Sequence, residues 1–113
     1  MKKVAKRVTK RDVGTVALKS VKYVIVRCRD AGVHAGEYVR HSGREVVLSN
    51  ARRIWYWKGA ASLSEIAVHG CKFPRECKIS LPVPSMTLLE ACEIIECLPE
   101  GEKFLREVIA WTA

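Results

Sequence analysis

The sequence predicts an α+β domain: an antiparallel β-meander with one or two short helices packed on it. Three observations carry this reading. Stretches rich in β-branched and aromatic residues recur from Val21 to Trp57, joined by turns too short for a crossover helix. A capped helical stretch follows, opening at Ser62 and stopping at Gly70. No βαβ pattern and no phosphate-binding glycine loop of the usual spacing interrupts the order.

In chain order, residues 1–20 read as a basic lead-in, open to partial disorder, and residues 21–113 as a single ligand-binding domain. Val21 to Arg29 is the clearest strand. Arg27 and Arg29 point to one face and Cys28 to the other. Asp30-Ala31-Gly32 is a turn, and Val33 to Arg40 resumes as a second strand. His41-Ser42-Gly43 forms a hairpin turn before a third strand, Arg44 to Leu48. Ser49 to Arg52 is expected to kink, and Ile54 to Trp57 to continue as a fourth strand. Ser62-Leu63-Ser64-Glu65 has capping-box spacing. Leu63, Ile66 and Ala67 then repeat at helical intervals, giving about two turns with an apolar stripe on the sheet. Backbone donors at that helix start suit a phosphate, although capping by Ser62 is their ordinary use. Cys71 to Pro84, with Pro74, Pro82 and Pro84, reads as a basic loop, solvated by default and a lid over an anionic ligand in the sharper reading. Met86 to Cys97 fits either helix or strand, and strand is preferred. Pro99-Glu100-Gly101 reads as a break, Glu102 to Glu107 as a short helix, and Val108 to Ala113 as a last strand. Trp111 suggests a packed tail, against a second subunit in one version.

At 113 residues, 49% hydrophobic and 28% charged, the chain is globular and one domain in size. No apolar run approaches the roughly 18 residues a membrane helix needs, so no membrane partner is expected. The basic start is followed by no apolar stretch and is not read as a signal peptide; the expected location is the cytosol. Net charge is +8, and six cations (Lys2, Lys3, Lys6, Arg7, Lys10, Arg11) against Asp12 place most of it in the first twelve residues. Such a lead-in suits nucleic acid, though most basic tails are simply solvated. The mildly basic body argues against wrapping a duplex and fits a small anionic ligand.

The chemistry gathers in residues 50–57. Two of the three tryptophans, Trp55 and Trp57, stand here behind Asn50, Arg52 and Arg53. In strand alternation Arg53, Trp55 and Trp57 share one face, and Arg52, Ile54 and Tyr56 the other. A flat ring offers a base a stacking surface. A guanidinium offers phosphate a planar fork of donors, and Asn50 suits a base edge or a ribose hydroxyl. Taken singly, each is more often core or solvated surface than a ligand contact. The candidate ligand-binding residues are therefore Asn50, Arg52, Arg53, Trp55 and Trp57, then Arg27, Arg29 and His34, with Lys72 and Arg106 as further candidates.

Catalysis has little to rest on. His34, His41 and His69 are scattered, and no Ser-His-Asp, Cys-His or paired-carboxylate arrangement declares itself. The five cysteines (Cys28, Cys71, Cys77, Cys92, Cys97) are odd in number and form no CxxC pair. Reduced thiols are the default, and a metal site with His69 the minor alternative. No enzyme activity, cofactor or metal is expected.

Val24-Ile-Val-Arg-Cys-Arg-Asp-Ala-Gly-Val-His-Ala-Gly36 and Gly43-Arg-Glu-Val-Val-Leu-Ser-Asn-Ala-Arg-Arg-Ile-Trp-Tyr-Trp-Lys-Gly-Ala-Ala-Ser-Leu-Ser-Glu-Ile-Ala67 form a distinctive pair of blocks. With Glu93-Ile-Ile-Glu-Cys97 and Ala110-Trp-Thr112, they resemble the first Thoeris anti-defence family of phage proteins across residues 21–113. The resemblance implies a sponge. Thoeris is a bacterial immune system whose TIR-domain enzyme makes a cyclic ADP-ribose signal from NAD. Members of the family bind that signal, glycocyclic ADP-ribose, and sequester it without cleaving it. It further implies an oligomer with pockets at subunit interfaces, cyclic oligonucleotides as separate ligands of some members, and action in the host bacterial cytoplasm during infection. The competing readings are a small basic nucleic-acid-binding phage protein, an enzyme degrading a cyclic nucleotide, and a structural phage protein without a ligand.

Overall fold

The computed structural model describes residues 21–113; the expected basic lead-in lies outside them. The architecture is α+β, one six-stranded antiparallel sheet with two short helices. Strands β1 (Tyr23–Cys28), β2 (Gly32–Ser42) and β3 (Glu45–Tyr56) form a meander. Two short strands, β4 (Lys78–Ile79) and β5 (Val83–Leu88), share the outer edge of β3. The last strand, β6 (Ala91–Glu96), pairs with β1 at the opposite edge.

The expected third and fourth strands are one strand of 12 residues. The kink foreseen at Ser49 to Arg52 is a bulge inside it. Ala35 faces Arg52 and Glu37 faces Ser49, so β3 spends one residue more than β2 over this interval. The extra residue is Asn50, at φ 48, a left-handed conformation that asparagine tolerates better than most side chains. Its Nδ2 donates to Glu37 Oε1 at 3.2 Å. Because facing alternates along a strand, this insertion swaps the faces beyond it. Val46, Leu48 and Ala51 therefore all reach the same core.

Only Leu89 and Glu90 separate β5 on one edge from β6 on the other. In a flat sheet four strand spacings would hold those edges about 19 Å apart, whereas three residue steps reach roughly 10 Å. The sheet must curl. The corner is held by Ala91 N donating to the Arg44 carbonyl at 2.8 Å and Arg29 N to that of Glu90 at 3.1 Å. Curling gives the sheet two cores. Val24, Val26, Cys28, Val46, Leu48, Ala51 and Leu88 fill the concave side. Tyr23, Ile25, Ile54 and Ile79 on the other side pack against the helices.

Helix α1 (Leu63–His69) forms as its capping signals specify. Ser62 Oγ accepts from Glu65 N at 3.2 Å, Glu65 Oε1 accepts from Ala61 N at 2.7 Å, and Gly70 ends it at φ 79. Helix α2 runs Pro99–Glu107. The expected break at Pro99 to Gly101 is its first turn, since proline suits a position whose N–H has no helical partner. Gly101 is where the helices meet. A Cβ there would overlap the Ala67 carbonyl, which already accepts from Leu98 N at 2.9 Å.

Three further expectations are corrected. The 71–84 loop contains a 3-10 turn, Pro74–Glu76, and the strand β4. The 86–97 stretch is strand, as preferred, but divided into β5 and β6 by the corner at Leu89-Glu90. The expected last strand at 108–113 does not form. Val108 instead closes α2, donating to Phe104 O at 2.9 Å and packing on the helix-side core, and beyond it Trp111 N donates to Ile79 O at 2.9 Å. No helix among the described residues is long and apolar enough to cross a membrane.

Gly101→Ala is expected to destabilise the fold by about 2–3 kcal/mol, because backbone rather than a flexible side chain must move. Urea unfolding checks this; a midpoint equal to wild type would contradict the tight crossing.

Candidate functional site

Arg53, Trp55 and Trp57 line one open cavity of about 300 Å³ with Ile54 and the Asp30 to Val33 turn. A neighbouring cavity of about 370 Å³ shares Asp30, Ala31 and Arg53 and continues along Met86 to Glu90. Arg53 thus stands where two lobes of one groove meet. Its backbone is held from both sides: Arg53 faces His34 across β2, Arg53 N donates to Ser80 Oγ at 2.8 Å, and Ser80 N donates to Arg53 O at 2.9 Å. Its guanidinium makes no ion pair or side-chain hydrogen bond among the described residues. Trp55 is 65% exposed, so its ring is free to stack. Trp57 is half-buried against the helix-side core, with Nε1 donating to Ala60 O at 3.2 Å. A fixed strand therefore presents one free guanidinium in a groove that apolar side chains and two carboxylates, Asp30 and Glu90, also line.

Arg52 has a different role. It is 4% exposed, and its guanidinium donates to Ser80 O and Leu105 O, each at 2.8 Å. It ties β3 to the β4–β5 link and to α2, and it does not face the groove. Burial, partly offset by Tyr23, draws its pKa down, yet a guanidinium stays charged throughout the working range. Asn50 is also separated from Arg53. It lines a cavity of about 190 Å³ with Tyr23, Pro82 and Arg106 on the helix side.

His34 lies beneath the groove rather than in it. It is fully buried, with Nε2 donating to Ala31 O at 2.9 Å and Nδ1 without a partner among the described residues. Burial depresses its pKa, the Ala31 carbonyl opposing and Arg53 adding to the effect. The neutral ring is the folded form.

The remaining candidates are apart from one another. Arg27 Nε donates to Glu93 Oε1 at 2.8 Å across β1–β6, and Arg29 Nη1 lies 3.8 Å from Glu90 Oε1 near the groove's second lobe. Arg106 joins Glu37 at 2.8 Å and Glu102 at 2.7 Å. That guanidinium, then the Ser49 hydroxyl, holds the Glu37 carboxyl below its usual range. Lys72 is exposed in the loop after α1, its N–H donating to Gly59 O at 3.1 Å. At the start of α1, Ser62 Oγ takes the Glu65 N–H and Glu65 Oε1 takes that of Ala61.

Asp30 is the groove residue that the sequence reading leaves as a plain turn residue. What brings it to Arg53 is the pairing of β2 with β3, which places Val33 opposite Ile54. No local pattern announces that pairing.

All five cysteines are free. Burial, then the neighbouring Cys77, pushes the Cys71 thiol up to about 12, and burial, then Glu102, does the same for Cys97. Such thiols stay protonated at neutral pH and are poor nucleophiles and metal ligands. Among the described residues no group of three or more His, Cys, Asp or Glu is placed to hold a metal.

Two predictions follow from the buried pair. Arg52→Ala leaves the Ser80 and Leu105 carbonyls without their donor and should cost about 3 kcal/mol in chemical denaturation; an unchanged midpoint would remove Arg52 from its bracing role. His34 has a folded pKa below its ordinary 6.5, so the unfolded chain takes up a proton that the fold refuses. Stability from this group is complete above pH 6.5 and declines as pH falls through the folded value. His34→Gln should therefore show a shallower loss of Tm than wild type between pH 6.5 and about 5, above the range where carboxylates titrate. Parallel Tm profiles would refute that assignment.

Residues 21–105 match a family described as a domain of unknown function, DUF6948. No curated protein and no solved structure matches the chain.

Proposed function

We propose that this chain, which belongs to the DUF6948 family, is a phage anti-defence sponge. It binds a cyclic ADP-ribose signal, glycocyclic ADP-ribose, made by a TIR-domain immune enzyme, and withholds it without cleaving it. The observation that carries this reading is the groove that a free Arg53 lines together with Trp55 and Trp57. Three parts of such a ligand find complementary chemistry there. The adenine ring stacks on Trp55, a surface worth about 1–3 kcal/mol per base in single-strand binders. The pyrophosphate takes the Arg53 fork. A ribose hydroxyl donates to Asp30, an acceptor that a track for bare phosphates would not place beside its arginine.

Holding the signal calls only for binding, which Trp55, Arg53 and Asp30 would supply. The neutral ring of His34 lies below it, and no cysteine lines either lobe. Each lobe is within the size of small-ligand sites, about 300–1,000 Å³, but both are open to solvent. A second copy closing over them fits the interface pockets that the family resemblance implies, and cyclic oligonucleotides remain a second ligand class on the same ground. The site of action in this reading is the host cytoplasm during infection.

Titration calorimetry with glycocyclic ADP-ribose, followed by heating the complex and mass spectrometry of what is released, tests the reading. Tight binding and release of the unaltered ligand are expected. Arg53→Ala, on a backbone held at both ends, should fold normally and lose on the order of 1.5–3 kcal/mol of binding. A ligand recovered in altered form would make the protein an enzyme, and absence of binding would end the sponge reading.

A further inference from the structure

The opposite face of the β3 end carries a second constellation that the groove does not use. Tyr56 faces Lys78 across the β3–β4 pair, away from Trp55. Lys78 Nζ stands 5.9 Å from the Tyr56 ring centre and 5.2 Å from that of Trp111. Lys58 Nζ lies 6.0 Å from the Phe73 ring in the same way. The three rings are exposed by 48% (Tyr56), 50% (Trp111) and 48% (Phe73). The backbone ties each pair together: Trp111 N donates to Ile79 O, beside Lys78, and Lys72 N, beside Phe73, donates to Gly59 O, beside Lys58. Tyr56 and Lys58, two residues apart in the chain, bring the two pairs next to each other.

The charge on this surface is predominantly positive. Lys58, Lys72, Arg75 and Lys78 are its cations, and Glu76, 3.0 Å from Lys58, is the one acid on the 71–78 segment. Lys72, Arg75 and Lys78 have no ion pair among the described residues. Basic surfaces are usually just solvated, and exposed rings usually cap a core edge. Here rings and cations alternate, each ring within reach of an ammonium. A polyanion without bases would leave the rings unused. A second apolar protein surface would have to desolvate four cations, three of them unpaired. A duplex hides its base faces from side chains at the surface. A flexible strand with unstacked bases uses both components, because bases stack on rings while phosphates take the ammonium groups.

We propose that the Tyr56–Lys58–Phe73–Lys78–Trp111 surface binds single-stranded nucleic acid, separately from the Arg53 groove. A base stacking on Tyr56 or Trp111 displaces the Lys78 ammonium from the ring, and the freed cation meets the adjoining phosphate. No bond is made or broken.

The test is fluorescence anisotropy of the full chain with a labelled 20-nucleotide oligothymidylate and with a duplex of the same length, across a salt series. Wild type should bind the single strand more tightly than the duplex, with affinity falling as salt rises. Trp111→Ala and Tyr56→Ala should each weaken single-strand binding roughly tenfold, in keeping with the loss of one stacked base, while Trp111→Phe retains most of it. Lys78→Ala should lower the slope of log affinity against log salt by about one. Trp111→Ala should leave glycocyclic ADP-ribose binding as it is, so the two sites fail or stand independently. Ring variants that bind like wild type would overturn the proposal and leave any binding to other basic segments. Equal affinity for strand and duplex would overturn it as well. So would the absence of oligonucleotide binding, together with a lower sedimentation mass for Trp111→Ala, since the rings would then be covered by a second copy of the chain.

Discussion

A single inserted residue in the longest strand sets what each face of this protein offers. At Asn50 the backbone turns left-handed, β3 gains a residue on β2, and the alternation of its side chains is shifted by one. Before the bulge Val46 and Leu48 point into the concave core; after it Ala51, Arg53 and Trp55 take that side. The Asn50 amide bonds to Glu37, which also accepts from Ser49 and pairs with Arg106 on α2. A local irregularity is thus anchored to the helix layer.

The two adjacent arginines show what the shift accomplishes. Arg52 enters the interior, where a charge is tolerable only with partners, and it finds the Ser80 and Leu105 carbonyls. Those bonds join the long strand to the β4–β5 link and the second helix. Arg53, one residue later, gets a fixed backbone and a free side chain. Rigidity below and freedom above suit Arg53 to the proposed contact, since little backbone entropy would remain to be lost on binding. Had the bulge been absent, the guanidinium now bracing the fold would be on the groove side.

Curling of the sheet is the second constraint. A corner of two residues between opposite edges forces the strands to roll, so that a domain this small closes a core on the concave side and still packs helices on the other. The groove follows from the roll, because Met86 to Glu90 at the corner comes to lie beside Arg53 and Asp30. The aromatic and basic surface on the other side of β3 depends on the edge strand β4 and the tail that bonds to it. Two dissimilar surfaces, the proposed ligand groove and the proposed strand-binding face, thereby share one strand.

By itself the sequence determined the elements whose signals are local. The α+β class, the antiparallel meander, α1 with its Ser62 cap and Gly70 stop, and the common side of Arg53 and Trp55 all rest on periodicity and capping over a few residues. Tertiary structure decided what depends on distant partners. It joined two expected strands across Asn50, drew Pro99 to Gly101 into a helix against Ala67, and kept 108–113 out of the sheet because Val108 had a core to fill. It also divided the candidate residues, burying Arg52 and His34, pairing Arg27 and Arg106 with glutamates, and bringing in Asp30. The physical reason is the same in each case: alternation and capping act between neighbours in sequence, whereas burial and pairing are set by whichever strand or helix arrives from elsewhere in the chain.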